Sequence, residues 1–222
     1  IRDRDVHRVP IPRLGGVSIF LGFAAATLVA RQLPFLKGVY SSGQMTGVLM
    51  GAFIVVVVGA LDDIRELDWF AKFAGQVLAA GVMAYKGVVM LQVPFFGTST
   101  VLPGPVLVGI TVLIVLVTTN AVNFIDGLDG LAAGIVAIGA LAFFVYAYRL
   151  GFTYNPANVF STATFVTAAT LGCCLGFLPH NFNPARLFMG DSGALLLGLL
   201  LAAATVSLTG NVDPSSVSGD PL

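Results

Sequence analysis

The sequence predicts an all-α protein that crosses a membrane several times. Three observations carry this. Of 222 residues, 57% are hydrophobic and only 10% charged, where soluble domains hold roughly a quarter. Mean hydropathy is +0.93. The apolar residues form continuous runs near the ~20 residues that a helix needs to cross the hydrocarbon, not the alternating pattern of a membrane barrel. Backbone polar groups in lipid must be satisfied within the segment, so helices are the expected solution.

The runs fall at about 15–30, 45–61, 69–85, 105–122, 131–148, 157–178 and 193–209. They are seven candidate helices in a single transmembrane domain covering 1–222. Lys72 lies about one turn inside the third run. It is read either as snorkelling to the interface or as a cation drawn to nearby acids. Residues 86–104, with two prolines and three glycines, are expected to form an outer loop or hairpin that does not cross. Cys173 and Cys174 are adjacent within the sixth run, and their neighbourhood suits small packing residues, not a disulfide framework. The chain opens at Ile1 and closes on a polar stretch, so it reads as a segment of a longer protein.

If 86–104 returns on one side, then 1–14, 62–68, 118–130 and 179–192 share a membrane face. Seven of the eleven bases are there: Arg2, Arg4, Arg8, Arg13, Arg65, Lys72 and Arg186. This bias puts the face in the cytoplasm. Nine of eleven acids are there too, all but Asp213 and Asp220. Net charge is zero, which argues against a nucleic-acid partner.

Three acidic stretches carry the chemistry. GALDDIRELDWFAKF holds Asp62 and Asp63 at the end of a span, and NAVNFIDGLDGLAAG holds Asn120, Asn123, Asp126 and Asp129. NFNPARLFMGDSGALLLG holds Asp191 at the start of the last span. Capping of helix starts accounts for single acids of this kind. The pair Asp62–Asp63 is harder to explain by structure alone, because like charges repel at a low-dielectric boundary. Clustered oxygen ligands suit Mg²⁺, which takes one or two carboxylates plus substrate phosphates. If the helix continues through Asn120 and Asn123, their i, i+3 spacing puts both amides on one face. Cations near such acids would neutralise charge on phosphoryl oxygens. A cation-coupled transporter is the rival class, since intramembrane carboxylates often mark ion paths. Transporter sites, however, sit near the bilayer midplane, whereas these acids cluster at span ends.

With VHRVPIPRLGG, GALDD, TNAVNFIDGLDGLAAG and HNFNPARLFMGDSG in order, the chain resembles the polyprenyl-phosphate N-acetylhexosamine-1-phosphate transferases, and within them the WecA/TagO-like branch over the MraY-type. The resemblance implies transfer of GlcNAc-1-phosphate from UDP-GlcNAc to undecaprenyl or decaprenyl phosphate at a bacterial plasma membrane, with release of UMP. An MraY-like phospho-MurNAc-pentapeptide transferase or another UDP-HexNAc donor is the alternative. It implies Mg²⁺, with Mn²⁺ as a substitute, held by Asn123 and Asp191, and admits a homodimer. It assigns Asp62, Asp63 and Asp126 to catalysis, leaving acid–base and covalent roles open. Lys72 and Asn120 would bind the substrate, Asp129 would read the uracil, Phe188 would stack on it, and Gly15 and Gly16 would lie against the uridine. His7 and His180 are given local hydrogen-bonding roles. A later His/Arg-rich loop and an upstream span of the family are expected beyond the chain.

Overall fold

The computed structural model describes residues 11–91, 93–95, 98–100, 102–154 and 159–208. Arg2, Asp3, Arg4, Asp5, His7, Arg8, Asp213 and Asp220, with most of the 1–14 stretch, lie outside the described residues. All seven apolar runs are helices. They are α1 (Gly15–Ala30), α3 (Gln44–Arg65), α4 (Trp69–Tyr85), α5 (Gly104–Ile125), α6 (Leu131–Tyr154), α7 (Thr162–Asn181) and α8 (Gly190–Leu208). A 3₁₀ turn (Pro34–Leu36) and the short α2 (Lys37–Ser41) join α1 to α3.

Seven crossing helices were expected, and among the described residues five reach spanning length and apolarity: α3, α5, α6, α7 and α8. Helices α1 and α4 have 16 and 17 residues. That is about 24 and 26 Å at ~1.5 Å per residue, short of a ~30 Å hydrocarbon layer. Helix α1 continues through a 105° bend into Pro34–Ser41, and Tyr40 Oη donates to the Thr27 carbonyl at 2.6 Å, pinning the elbow. Short polar-flanked pieces of this kind have no apolar run to announce them.

The connection at 86–104 contains an antiparallel two-stranded hairpin, β1 (Val93–Phe95) with β2 (Thr98–Thr100), in the register Val93↔Thr100. It joins antiparallel neighbours. Gln76, midway along α4, bonds Asn120, late in α5, while the Met90 N–H, past the end of α4, donates to Thr111 Oγ1 in the first half of α5 at 2.9 Å. The segment thus leaves and returns at one end of the bundle. Chain direction then brings the ends of α3, α5 and α7 together with the starts of α1, α4, α6 and α8.

Helix α8 is the centre. It is apolar all round, and such helices are buried; fourteen of its residues, from Ser192 to Ser207, are out of contact with the surroundings. It packs against α1, α3, α5, α6 and α7. Small residues set the approach, as in other membrane helix pairs. A Cβ on Gly198 would fall 2.5 Å from Thr119 Cα on α5. Cβ atoms on Gly16 and Gly59 would fall inside the backbone of Gly193 and Ser192. The last two contacts fix the starts of α1 and α8 beside the end of α3. Cys174 is buried, Cys173 is partly so, and both are free thiols, as their packing role requires.

Gly198→Val is expected to lower the stability of the detergent-solubilised protein by about 1–3 kcal/mol, the usual cost of overpacking. Gly134→Ala on α6, where an added Cβ meets nothing within 4 Å, should be neutral or gain about 0.5–1 kcal/mol from helix propensity. Thermal melts of the two variants check this.

Candidate active site

The site begins where α3 stops. Glu66 adopts a left-handed conformation (φ 49°) and its N–H donates to the Asp62 carbonyl at 2.9 Å, ending the helix. Asp62 Oδ1 accepts the Leu67 N–H at 2.8 Å. Asp68 then caps α4 by accepting the Ala71 N–H at 2.6 Å, an ordinary N-cap bond. This tight corner places Lys72, in the first turn of α4, beside the acids. Its ammonium lies 2.7 Å from Asp62 Oδ2 and also pairs with Asp191 Oδ2. Lys72 therefore turns into the acidic cluster and does not snorkel.

Helix α5 continues through Asn120 and Asn123, the condition for their amides to share a face, but the two take different partners. Asn123 Nδ2 donates to Asp191 Oδ1 at 3.1 Å. Asn120 points the other way, donating 2.6 Å to Oε1 of Gln76. Asp62, Lys72, Asn123 and Asp191 thus form one polar junction among the ends of four helices.

Asp63 faces elsewhere. Its Oδ1 accepts the Asp191 N–H at 2.8 Å, and its Oδ2 accepts the Ser192 N–H at 3.1 Å and the Ser192 hydroxyl at 2.9 Å. The two neighbours in sequence thus serve different partners. Asp126 sits just past the last residue of α5. Burial, then the charges on Asp191 and Asp63, push its carboxyl up to about 7.

The two remaining loops are stitched together. Asp129 Oδ2 accepts from Asn183 Nδ2 at 3.1 Å and from the Ala185 N–H at 3.0 Å. Gly130, at φ +73°, donates its N–H to Asn181 Oδ1 at 3.1 Å, and Asn181 Nδ2 donates to the Leu187 carbonyl at 3.0 Å. The His180 carbonyl accepts the Arg186 and Leu187 N–H groups, while its imidazole is exposed. Phe188 is half-buried. Its N–H donates to the Pro12 carbonyl and its carbonyl accepts from Gly15 at 3.0 Å; Gly16 donates to Met189 at 2.9 Å. In this structure Gly15 and Gly16 therefore dock α1 onto the Phe188–Met189 backbone, where no Cβ fits.

Sequence reasoning missed Gln76 and Asn181. Each is almost fully buried, at 1% and 2% exposure, and each bonds a loop or helix that carries a site residue. The available signal was polarity: Gln76 is one turn past Lys72 in an otherwise apolar helix, on the same face.

Among the described residues, no three His, Cys, Asp or Glu side chains gather into a closed metal cage. The donors present are hard and open: the Asp191 carboxylate, with the Asn123 amide beside it. An ammonium already compensates the charge between Asp62 and Asp191. That set fits Mg²⁺, which keeps waters and is completed by substrate phosphates.

Fold and site together define a multi-span α-helical membrane protein whose carboxylates, amides and one lysine converge at one end of the bundle. The chain belongs to Glycosyl transferase family 4, which matches residues 45–209. It is 42% identical over 220 residues to the decaprenyl-phosphate N-acetylglucosaminephosphotransferase of Mycobacterium leprae, covering 97% of this chain and 55% of that protein. It is 38% identical to the probable undecaprenyl-phosphate N-acetylglucosaminyl 1-phosphate transferase of Bacillus subtilis, covering 99% and 60%. It is 40% identical to the phospho-N-acetylmuramoyl-pentapeptide-transferase of Desulforudis audaxviator, covering 91% and 64%. The chain thus spans between 55% and 64% of the length of these relatives.

The raised carboxyl of Asp126 makes a pH-dependent cost. An aspartate ionises near 3.9 when unfolded and near 7 here, so ionisation favours the unfolded state. The penalty is absent below about pH 4, grows through the interval, and is complete above pH 7. In chelator, Asp126→Asn should therefore stabilise the protein at pH 8, by about 2 kcal/mol or more, and change little at pH 4. Melting curves at the two pH values check the sign.

Proposed function

We propose that the protein transfers GlcNAc-1-phosphate from UDP-GlcNAc to a polyprenyl phosphate in the bacterial plasma membrane, releasing UMP. The observation that carries this is the junction of Asp62, Lys72, Asn123 and Asp191 at one end of a lipid-facing bundle. There, a water-borne diphosphate and a lipid-borne phosphate can meet. The names of the mycobacterial and Bacillus relatives support the donor and the class of lipid; both decaprenyl and undecaprenyl chains occur among them.

In this reading Lys72 binds donor phosphate, exchanging a carboxylate partner for a phosphoryl oxygen. Asp191 and Asn123 would hold Mg²⁺, or Mn²⁺ in its place, which when bound neutralises charge on the diphosphate oxygens. Asp62 is the carboxylate aimed at the junction and is suited to orient or deprotonate the acceptor phosphate. Asp126 lies within the field of the same acids, and Asn120 positions α5. Phe188 and Asp129, on the two stitched loops, are assigned to the uracil, with Gly15 and Gly16 holding the Phe188 backbone behind it. Stacking and hydrogen bonding there anchor the donor, so that its binding energy orients the reacting phosphorus.

The site end faces the cytoplasm in this reading. The described residues split the bases evenly: Arg13, Arg65, Lys72 and Arg186 at the site end, against Arg31, Lys37, Lys86 and Arg149. The positive excess therefore rests on Arg2, Arg4 and Arg8.

The test is UMP release by the full-length protein in vesicles containing polyprenyl phosphate. UDP-GlcNAc should support release that requires both lipid phosphate and Mg²⁺. Asp191→Asn should lower the rate by about a hundredfold or more, roughly 2.7 kcal/mol of barrier, while inserting normally. Release from UDP-MurNAc-pentapeptide alone would move the protein to the pentapeptide-transferase branch. Release from neither donor would end the proposal.

A further inference from the structure

The two aspartates of GALDD are adjacent in sequence, but their side chains point about 100° apart around a helix. Asp62 meets Lys72. Asp63 meets the first turn of α8, taking the Asp191 N–H, the Ser192 N–H and the Ser192 hydroxyl. First-turn amides have no acceptor within their own helix, so this carboxylate from α3 is the N-cap that α8 itself lacks. A negative charge at that position also complements the helix dipole.

Three further facts make this a built contact. Gly59 is one turn before Asp63 on the same face, and a Cβ there would enter the Ser192 backbone. Only glycine lets α3 come near enough for Asp63 to reach both amides. Gly190 holds φ +66°, and a Cβ on it would fall 2.5 Å from Asp63 Oδ2. Ser192 is fully buried, so its hydroxyl is committed to this carboxylate and to the Met189 carbonyl. With one donor on Oδ1 and two on Oδ2, Asp63 is turned away from the junction that holds Lys72.

We propose that Asp63 is a positioning residue and Asp62 alone of the pair serves the reacting groups. Asp63 acts through the backbone of Asp191. It holds the start of α8 so that the Asp191 carboxylate stays between Lys72 and Asn123, where a divalent cation is to be bound. The inference rests on the reading of Asp191 as a metal ligand and adds the element that keeps the ligand in place.

The test uses the full-length protein in two measurements. In chelator, amide hydrogen exchange at Asp191 and Ser192 should quicken at least tenfold in Asp63→Asn, on the scale of one or two lost bonds to a charged acceptor, and stay as in wild type in Asp62→Asn. In turnover assays, Asp63→Asn should raise the Mg²⁺ concentration for half-activation about tenfold, with kcat at saturating Mg²⁺ within about threefold of wild type. Unchanged amide protection overturns the inference. So does a kcat lost at saturating Mg²⁺ with half-activation unmoved, which is the behaviour of an acid–base group. If Asp63→Asn does not fold, Ser192→Ala decides: it removes one donor and should raise the Mg²⁺ requirement about threefold, and no rise overturns the inference. Asp191→Asn separates the two ideas. A Mg²⁺ requirement unmoved there sinks the metal reading; one that moves there but not in Asp63→Asn sinks only the positioning role.

Discussion

The ammonium of Lys72 between the carboxylates of Asp62 and Asp191 is the contact on which the site's arrangement depends. Those two acids come from α3 and α8, and Asn123 on α5 adds its amide to Asp191. Without a cation between them, two half-buried carboxylates would repel across the junction of four helix ends. Removing one partner of an ion pair leaves the other charge uncompensated, at a cost that rises toward about 3–5 kcal/mol only as the pair becomes fully buried. The lysine thereby supplies the positive charge that a divalent cation would supply in the proposed reaction. It also ties α4, which at 17 residues is among the shorter helices, to the bundle.

Around that junction the structure separates holding from reacting. Helix α8 is buried along its length, and glycines let α1, α3 and α5 close on it. Its start is capped by Asp63, and the loops on either side are joined by Asn181 and Asp129. One turn deeper, Gln76 and Asn120 lock α4 to α5 with a side-chain pair inside the apolar layer. Each of these groups leaves Lys72, Asp62 and the Asp191 carboxylate free to exchange partners. A rigid frame with a few exchangeable charges suits a reaction that needs alignment more than covalent help.

Much of this was legible in the sequence. Seven apolar runs gave seven helices, because continuous hydrophobicity of that length has few other solutions. The non-crossing hairpin followed from two prolines and three glycines in an apolar stretch. Lys72, Asn123 and Asp191 were singled out, and they meet. What was not legible depends on helix register and tertiary partners. The sequence of GALDD does not say which aspartate faces α4 and which faces α8, so both were assigned to catalysis. The resemblance assigns Gly15 and Gly16 to the uridine, and it gives no sign of the contacts the structure shows, N–H bonds to the Phe188 and Met189 carbonyls at positions where no Cβ fits. Asn181 sat inside a recognised motif with no role, because its two partners are 51 and 6 residues away in the chain. The shortness of α1 and α4 was itself legible: the runs at 15–30 and 69–85 have the same 16 and 17 residues as the helices.

In this picture Lys72 compensates the charge of Asp62 and Asp191 until a divalent cation takes over that role. The direct measurement is the thermal stability of Lys72→Met, which keeps the side chain's length and removes its charge, in chelator and in Mg²⁺. The variant should melt below wild type in chelator, by about 1–3 kcal/mol for a half-buried pair left uncompensated, and Mg²⁺ should recover most of the loss. A variant that melts like wild type in chelator, or a loss that Mg²⁺ does not recover, would rule out that role for Lys72.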